Sequence, residues 1–424
     1  MPTSSLLDKF VSISTRNAPG QEARHNNTSD ISVFRGEMLP GELVDFSHGD
    51  VDSEAFPPTP GSLQIFMDGV RSGGVQAYTE YRGREDIRAY LAECLGKFTG
   101  RAIEKADELI ITPGTQGALF LAMAANISSG DKVAIVCPDY FANRRIAKFL
   151  GAEVTDIKID YLDVECGAGI DLTQLEEAFK AGCKSFVFSN PNNPTGVIYS
   201  SEEIGEIAGL SERYGVTVIV DQLYSRLVYK GYDYTHLRET SLSPSKLITI
   251  MGPSKTESLS GYRLGIAIGP CEIIERMEKL QAIVSLRAPG YCQAVLRTWF
   301  AEPSEWISKR IMGHQQIRDD ITRILRSVDG LRVRDPEGGS YVFPKLPTLG
   351  VPLDLFVKAL RHQCNVIVTP GTEFDPMESG SIRLNFSQNR QAAIDATKRI
   401  ASLIGRYRLG LLDTNRTAAP RRPC

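Results

Sequence analysis

Apolar residues along this chain come in short runs, each closed by a turn-rich polar stretch. The runs are "ELIITPG" (108–114), "DKVAIVCPDY" (131–140), "KSFVFSNPNNPTG" (184–196), "VTVIVDQLYS" (216–225), "KLITIMGPSK" (246–255) and "LGIAIGP" (264–270). Short, unbroken apolar runs predict strands buried on both faces. Between most of them lie segments with helical spacing, such as "TQGALFLAMAANI" and "SEEIGEIAGLSERYG". The second predicts an N-cap at Ser201, with Glu203 and Glu206 in its first turns. Strands alternating with helices predict a mostly parallel α/β sheet.

From about residue 293 the pattern changes. A long helical pattern (293–328) is followed by strand-like "SYVFPKL" (340–346), "NVIVTPG" (365–371) and "SIRLNFS" (381–387), then a final helix over about 390–406. This predicts a smaller α+β domain. The expected division is an N-terminal arm and part of the small domain (1–60), a large domain (61–292), a small C-terminal domain (293–408) and a mobile tail (409–424). The Pro-rich stretch "EAFPPTPG" (54–61) is expected to carry the arm across to the small domain.

Composition narrows the classes. The chain has 424 residues, 42% hydrophobic and 23% charged, with a net charge of −3. That balance gives no reason to expect nucleic acid or an anionic membrane as partner. No apolar run approaches the roughly eighteen residues of a membrane span. The eight cysteines and five histidines are scattered without metal-ligand spacing, so no metal is expected. Free thiols and the lack of a secretory pattern at the start lead to the expectation of a cytoplasmic protein.

The unusual residues sit at the ends of the predicted strands, where open α/β sheets bind ligands. Each has an ordinary reading alone. Lys255 could snorkel to the surface, Asp221 could cap a helix, and "NPNNPTG" could be only a loop. Together they read as a holder for an aromatic aldehyde cofactor bearing a phosphate. Lys255 supplies an amine for a Schiff base, and Asp221 a carboxylate for a protonated pyridine nitrogen. Asn193 and Tyr224 are donors for a ring hydroxyl, and Tyr140 is an aromatic to stack on the ring. Gly114, Thr115 and Gln116 open a helix whose N–H groups suit a phosphate, with Arg263 as a bidentate cation beside them.

The segments "SNPNNPTG", "VIVDQLYSRLVY" and "GPSKTESLSGYRLG" closely resemble the signatures of class I/II aminotransferases, the fold-type I pyridoxal-phosphate enzymes. The resemblance covers about residues 40–405. It implies a large α/β domain with a mostly parallel seven-stranded-type sheet between helices, plus a smaller α+β domain. It implies pyridoxal 5′-phosphate as cofactor and a homodimer with shared active sites. It implies an exchange of an amino group between an α-amino acid and a 2-oxo acid by a ping-pong Schiff-base mechanism. In "YTEYRGREDIRAYL" it matches Tyr78 to a tyrosine that reaches the neighbouring subunit's phosphate, and in "SIRLNFS" it matches Arg383 to the clamp on the substrate α-carboxylate. Ser254 belongs to the cofactor set. Gly49 matches a substrate-facing glycine.

Three positions depart from the family pattern. Gly252 stands where many relatives have a phosphate-binding serine. His48 stands in a wall that is commonly apolar, as a structural residue, a polar selector or an auxiliary acid/base. Arg287 lies in the region that carries substrate-selecting residues from the partner subunit. These departures keep a second reading open, a lyase, cyclase or oxidase on the same cofactor and fold.

Overall fold

The computed structural model describes residues 34–73, 78–377 and 380–409; the expected tail beyond 409 and the first 33 residues lie outside them. β1 (Val44–Asp45) stands alone near the start. The central sheet follows: β2 (Leu109–Pro113), β3 (Lys132–Cys137), β4 (Glu153–Lys158), β5 (Ser185–Ser189), β6 (Thr217–Asp221), β7 (Leu247–Met251) and β8 (Leu264–Ile268). Their order is β2-β8-β7-β6-β5-β3-β4. All neighbours run parallel except β8, which is antiparallel to both β2 and β7. This is an α/β fold with a mostly parallel sheet.

Side chains alternate between two apolar layers, as a pleated strand requires. Ala134, Val136, Phe186, Phe188, Val218 and Val220 enter one core. Their chain neighbours Val133, Ile135, Val187 and Ile219 enter the other. β4, one of the two edge strands, gave no continuous apolar signal because only Ile157 within "EVTDIK" is fully buried.

The helix after β5 is capped one residue earlier than Ser201. Ser200 is the N-cap, and its side chain accepts from the Glu203 N–H while Glu203 returns a bond to the Ser200 N–H. The expected long helix from 293 is also interrupted. A short helix Gly290–Gln293 and a 3-10 turn Ala294–Thr298 precede an extended Trp299 and a left-handed Phe300. Pro303 disfavours helical backbone at the residue before it and opens the helix Ser304–Arg326.

The remaining strands are short: β9 (Tyr341–Val342), β10 (Val366–Ile367), β11 (Thr369–Pro370) and β12 (Ile382–Asn385), in the order β11-β12-β9 with β10 paired to β1. Val44 lies beside Val366 in parallel register, joining the chain's beginning to its last third. The helices Leu353–Cys364 and Arg390–Tyr407 close a separate core around Phe356, Leu384, Ile400 and Tyr407.

A buried ion cluster links three segments. Arg226, just past β6, pairs with Glu257 at 2.5 Å and with Glu302. Both carboxylates are almost completely covered.

Candidate active site

The C-terminal ends of β5, β6 and β7 open into a cavity of about 320 Å³. Twelve of the fourteen residues assigned to the site from sequence line it, among them His48, Gly49, Thr115, Gln116, Tyr140, Asn193, Asp221, Tyr224, Ser254 and Lys255. Arg263 and Arg383 are the other two. Gly114 and Tyr78 do not.

Lys255 follows the turn that ends β7, and its Nζ donates to the Gly49 carbonyl at 2.6 Å. A Cβ on Gly49 would lie 2.8 Å from Tyr341 Oη and 3.2 Å from that Nζ, so a side chain at 49 would crowd the amine. The serine-to-glycine departure at 252 has a similar cause. A Cβ there would come within 2.7 Å of the Thr115 Cγ2 methyl, which fills the space.

Gly114, Thr115 and Gln116 begin the helix Gly114–Asn126 at the end of β2. Gly114 has φ +79°, and a Cβ on it would clash with the Arg263 guanidinium. Gly114 therefore stands behind the arginine and lets it lie against the helix start. Arg263, itself in the left-handed region at φ 54°, donates from Nη1 to the Ser260 carbonyl at 2.9 Å. The helix N–H groups, the guanidinium and the Ser254 hydroxyl form an anion cradle.

Across the cavity, Asp221 ends β6 and accepts from the Leu223 N–H at 3.0 Å. Burial pushes its carboxyl up to about 6. Tyr224 donates to Tyr341 Oη at 2.7 Å, and Tyr140 donates to Gln116 Oε1 at 2.9 Å. Arg383, on β12, donates from Nη1 to Asn193 Oδ1 at 3.0 Å and from Nη2 to the Ser47 carbonyl at 2.7 Å. Its guanidinium carbon sits 4.3 Å from the Tyr341 ring centroid and 4.6 Å from that of Phe374. Its Nε is buried with no partner. His48 faces the cavity with Nε2 3.6 Å from Asp45 Oδ2.

Tyr78 is 70% exposed, and Arg287 stacks on it at 3.6 Å and on Tyr81 at 4.7 Å. Arg144 and Arg145, on the helix Phe141–Phe149 after Tyr140, are partly buried in pairs with Asp156 and Glu373. Sequence reasoning missed Tyr341, Ser189, Ser47 and Thr369, all in the cavity wall. Tyr341 had a signal, as an aromatic in the strand-like "SYVFPKL". The others are small polar residues that only the fold brings near.

Residues 42–398 match the family model described as aminotransferase class I and II. The chain belongs to this family. Among solved structures, it is similar to an aspartate aminotransferase from Rhodobacter sphaeroides, with 57% identity and a TM-score of 0.88 over 90% of this chain and 96% of that one. Among curated relatives, an aspartate aminotransferase from Pyrococcus horikoshii is 28% identical, covering 87% of this chain and 92% of the relative. A (5-formylfuran-3-yl)methyl phosphate transaminase from Methanocaldococcus jannaschii is 30% identical over 81% of this chain and 88% of the relative.

The aminotransferase works with pyridoxal 5′-phosphate, exchanging an amino group between an amino acid and a 2-oxo acid. Its cavity fits that cofactor. An amine, an anion cradle and a desolvated carboxylate stand on three sides, matching an aldehyde, a phosphate and a pyridine nitrogen. Among the described residues, no group of three or more His, Cys, Asp or Glu could hold a metal, and no helix is long and apolar enough to cross a membrane.

Proposed function

We propose that this aminotransferase uses a dicarboxylic amino acid, aspartate first, as its amino donor. The observation that carries the reading is the 57% identity, over 96% of its length, to a structure described as an aspartate aminotransferase. The cavity lining supports the following residue roles. Thr115, Gln116, Ser254 and Arg263 hold the phosphate, with Gly114 making room for the arginine. Asp221 would hold the proton on the pyridine nitrogen, Asn193 would donate to the ring hydroxyl, and Tyr224 would donate there too by turning its proton away from Tyr341. Tyr140 covers one ring face.

When bound, the cofactor supplies the aldehyde that takes the amino group and the ring that accepts the electrons of the Cα–H bond. Arg383 binds the substrate α-carboxylate, its plane fixed by the Tyr341 and Phe374 rings and by Asn193 and Ser47. Lys255 Nζ, freed from its resting bond to the Gly49 carbonyl, would accept the Cα proton and deliver it to the carbon that the cofactor's aldehyde supplies. His48 contacts the substrate side chain.

A homodimer is part of the reading. Ile283, Val284, Leu286, Leu63, Val70 and Tyr78 are exposed large apolar residues around the Arg287 stack, and a second copy would cover them. Tyr78 then faces the partner's phosphate. The large domain spans about 61–292 and the small one about 293–408 with the N-terminal arm. The free cysteines among the described residues suit a reducing cytoplasm.

The test mixes the purified holoenzyme with single amino acids, without any 2-oxo acid, and records its absorbance. Aspartate should convert the pyridoxal band to the pyridoxamine band, and a 2-oxo acid should reverse it. Faster conversion by a monocarboxylic amino acid would overturn the donor. A new product without pyridoxamine would favour a lyase or cyclase.

A further inference from the structure

Beneath the cofactor wall lies a second carboxyl that the reaction above does not use. Asp139 follows β3, between Pro138 and Tyr140, and is 2% exposed. Its Oδ1 accepts from the Tyr140 N–H at 2.5 Å and from the Ser189 hydroxyl, and its Oδ2 accepts from the Ser189 N–H at 2.9 Å. The Ser189 hydroxyl in turn accepts from the Asn193 N–H at 3.1 Å. Asn193 Oδ1 takes the bond from Arg383. Hydrogen bonds thus tie Asp139 through the Ser189 hydroxyl to the backbone of Asn193, whose side chain holds the arginine assigned to the substrate. A branch runs to Tyr140, which hydrogen-bonds Gln116 beside the phosphate cradle.

Burying a carboxyl is costly, and burial pushes this one up to about 8, against the pull of Ser189 and Tyr140 and with added repulsion from Asp221. An apolar residue would avoid that cost but would leave three donors without acceptors. We propose that Asp139 is a positioning residue of the cofactor pocket. It fixes Tyr140 directly and Asn193 through the Ser189 hydroxyl, so the residue over the ring and the residue at its hydroxyl are set by one carboxyl. The proposal rests on the assignment of Tyr140 and Asn193 to the cofactor ring.

The experiment uses holoenzyme of Asp139→Ala, Asp139→Asn, Ser189→Ala, the double variant Asp139→Ala/Ser189→Ala, and Asn193→Ala as reference. It reads the pyridoxal-phosphate Kd by equilibrium dialysis, the visible circular dichroism of the bound cofactor, and Tm. Asp139→Ala and Ser189→Ala should each raise Kd about fivefold, the scale of one lost buried hydrogen bond, and change the visible dichroism. The double variant should bind no worse than Asp139→Ala alone, because both cuts fall in one chain. Asp139→Asn keeps the Oδ1 acceptor for Tyr140 and Ser189 but turns an amide donor toward the Ser189 N–H, so it should recover part of the loss. Should Asp139→Ala fail to fold, Ser189→Ala and Asp139→Asn carry the same comparison.

A lowered Tm with unchanged Kd and dichroism would make Asp139 a plain structural residue and overturn the proposal. So would multiplied effects in the double variant. An Asn193→Ala enzyme with normal Kd and dichroism would remove the ring assignment, and the proposal with it. A perturbed Asn193→Ala beside a normal Ser189→Ala would remove the proposal alone.

Discussion

Arg383 Nη1 and Asn193 Oδ1 lie 3.0 Å apart, joining a strand of the C-terminal third to the loop after β5. The bond ties together two side chains that line the cavity. Replacing Arg383 by Lys keeps the charge but loses the planar fork and its seat between two rings. We expect kcat/KM for the amino donor to fall by about two to three orders of magnitude, the scale of a broken buried charge pair, with cofactor affinity unchanged. Stopped-flow half-reactions measure this; a drop under threefold would contradict the clamp.

Lys255→Ala should abolish turnover while leaving cofactor binding noncovalent. Borohydride treatment followed by mass spectrometry should tag Lys255 in the parent enzyme, and dialysis should strip the cofactor from the variant. A tag on another lysine would reassign the amine.

Gly252→Ser restores the residue common among relatives but places its Cβ against the Thr115 methyl. Overpacking should weaken cofactor binding by about tenfold. Adding Thr115→Ser, which deletes that methyl, should recover most of it. Failure of the pair to recover would separate the glycine from Thr115.

The Asp221 carboxyl, raised by burial from 3.8 to about 6, predicts a pH dependence. The folded, cofactor-free protein holds this proton more tightly than the unfolded chain. Its contribution to stability is therefore full below about pH 4 and is lost as pH rises through 6, by up to about 3 kcal/mol. Denaturant unfolding of apoenzyme at pH 4.5 and 7 should show that loss reduced in Asp221→Asn. Identical pH slopes would count against the desolvated carboxylate.

The strand ends were legible in the sequence because buried parallel strands write unbroken apolar runs, and polar residues closing such runs stand out. Lys255, Asp221 and Asn193 were found that way. β4 was not, since only Ile157 of its "EVTDIK" is fully buried and the segment carries just two apolar residues. The interruption after Thr298 was hidden because Phe300 takes a left-handed backbone that its residue type rarely adopts. Ser189 and Asp139 gave no signal, because their role depends on which strand ends become neighbours.

Arg226 bears on how such enzymes can be rebuilt. It grips Glu257, two residues past the cofactor lysine, and Glu302, in the linker before the helix Ser304–Arg326. The lysine loop is therefore not an interchangeable cassette. A graft from a relative that lacks Glu257 would strand the guanidinium on Glu302 alone, so loop, arginine and linker have to be exchanged as one unit.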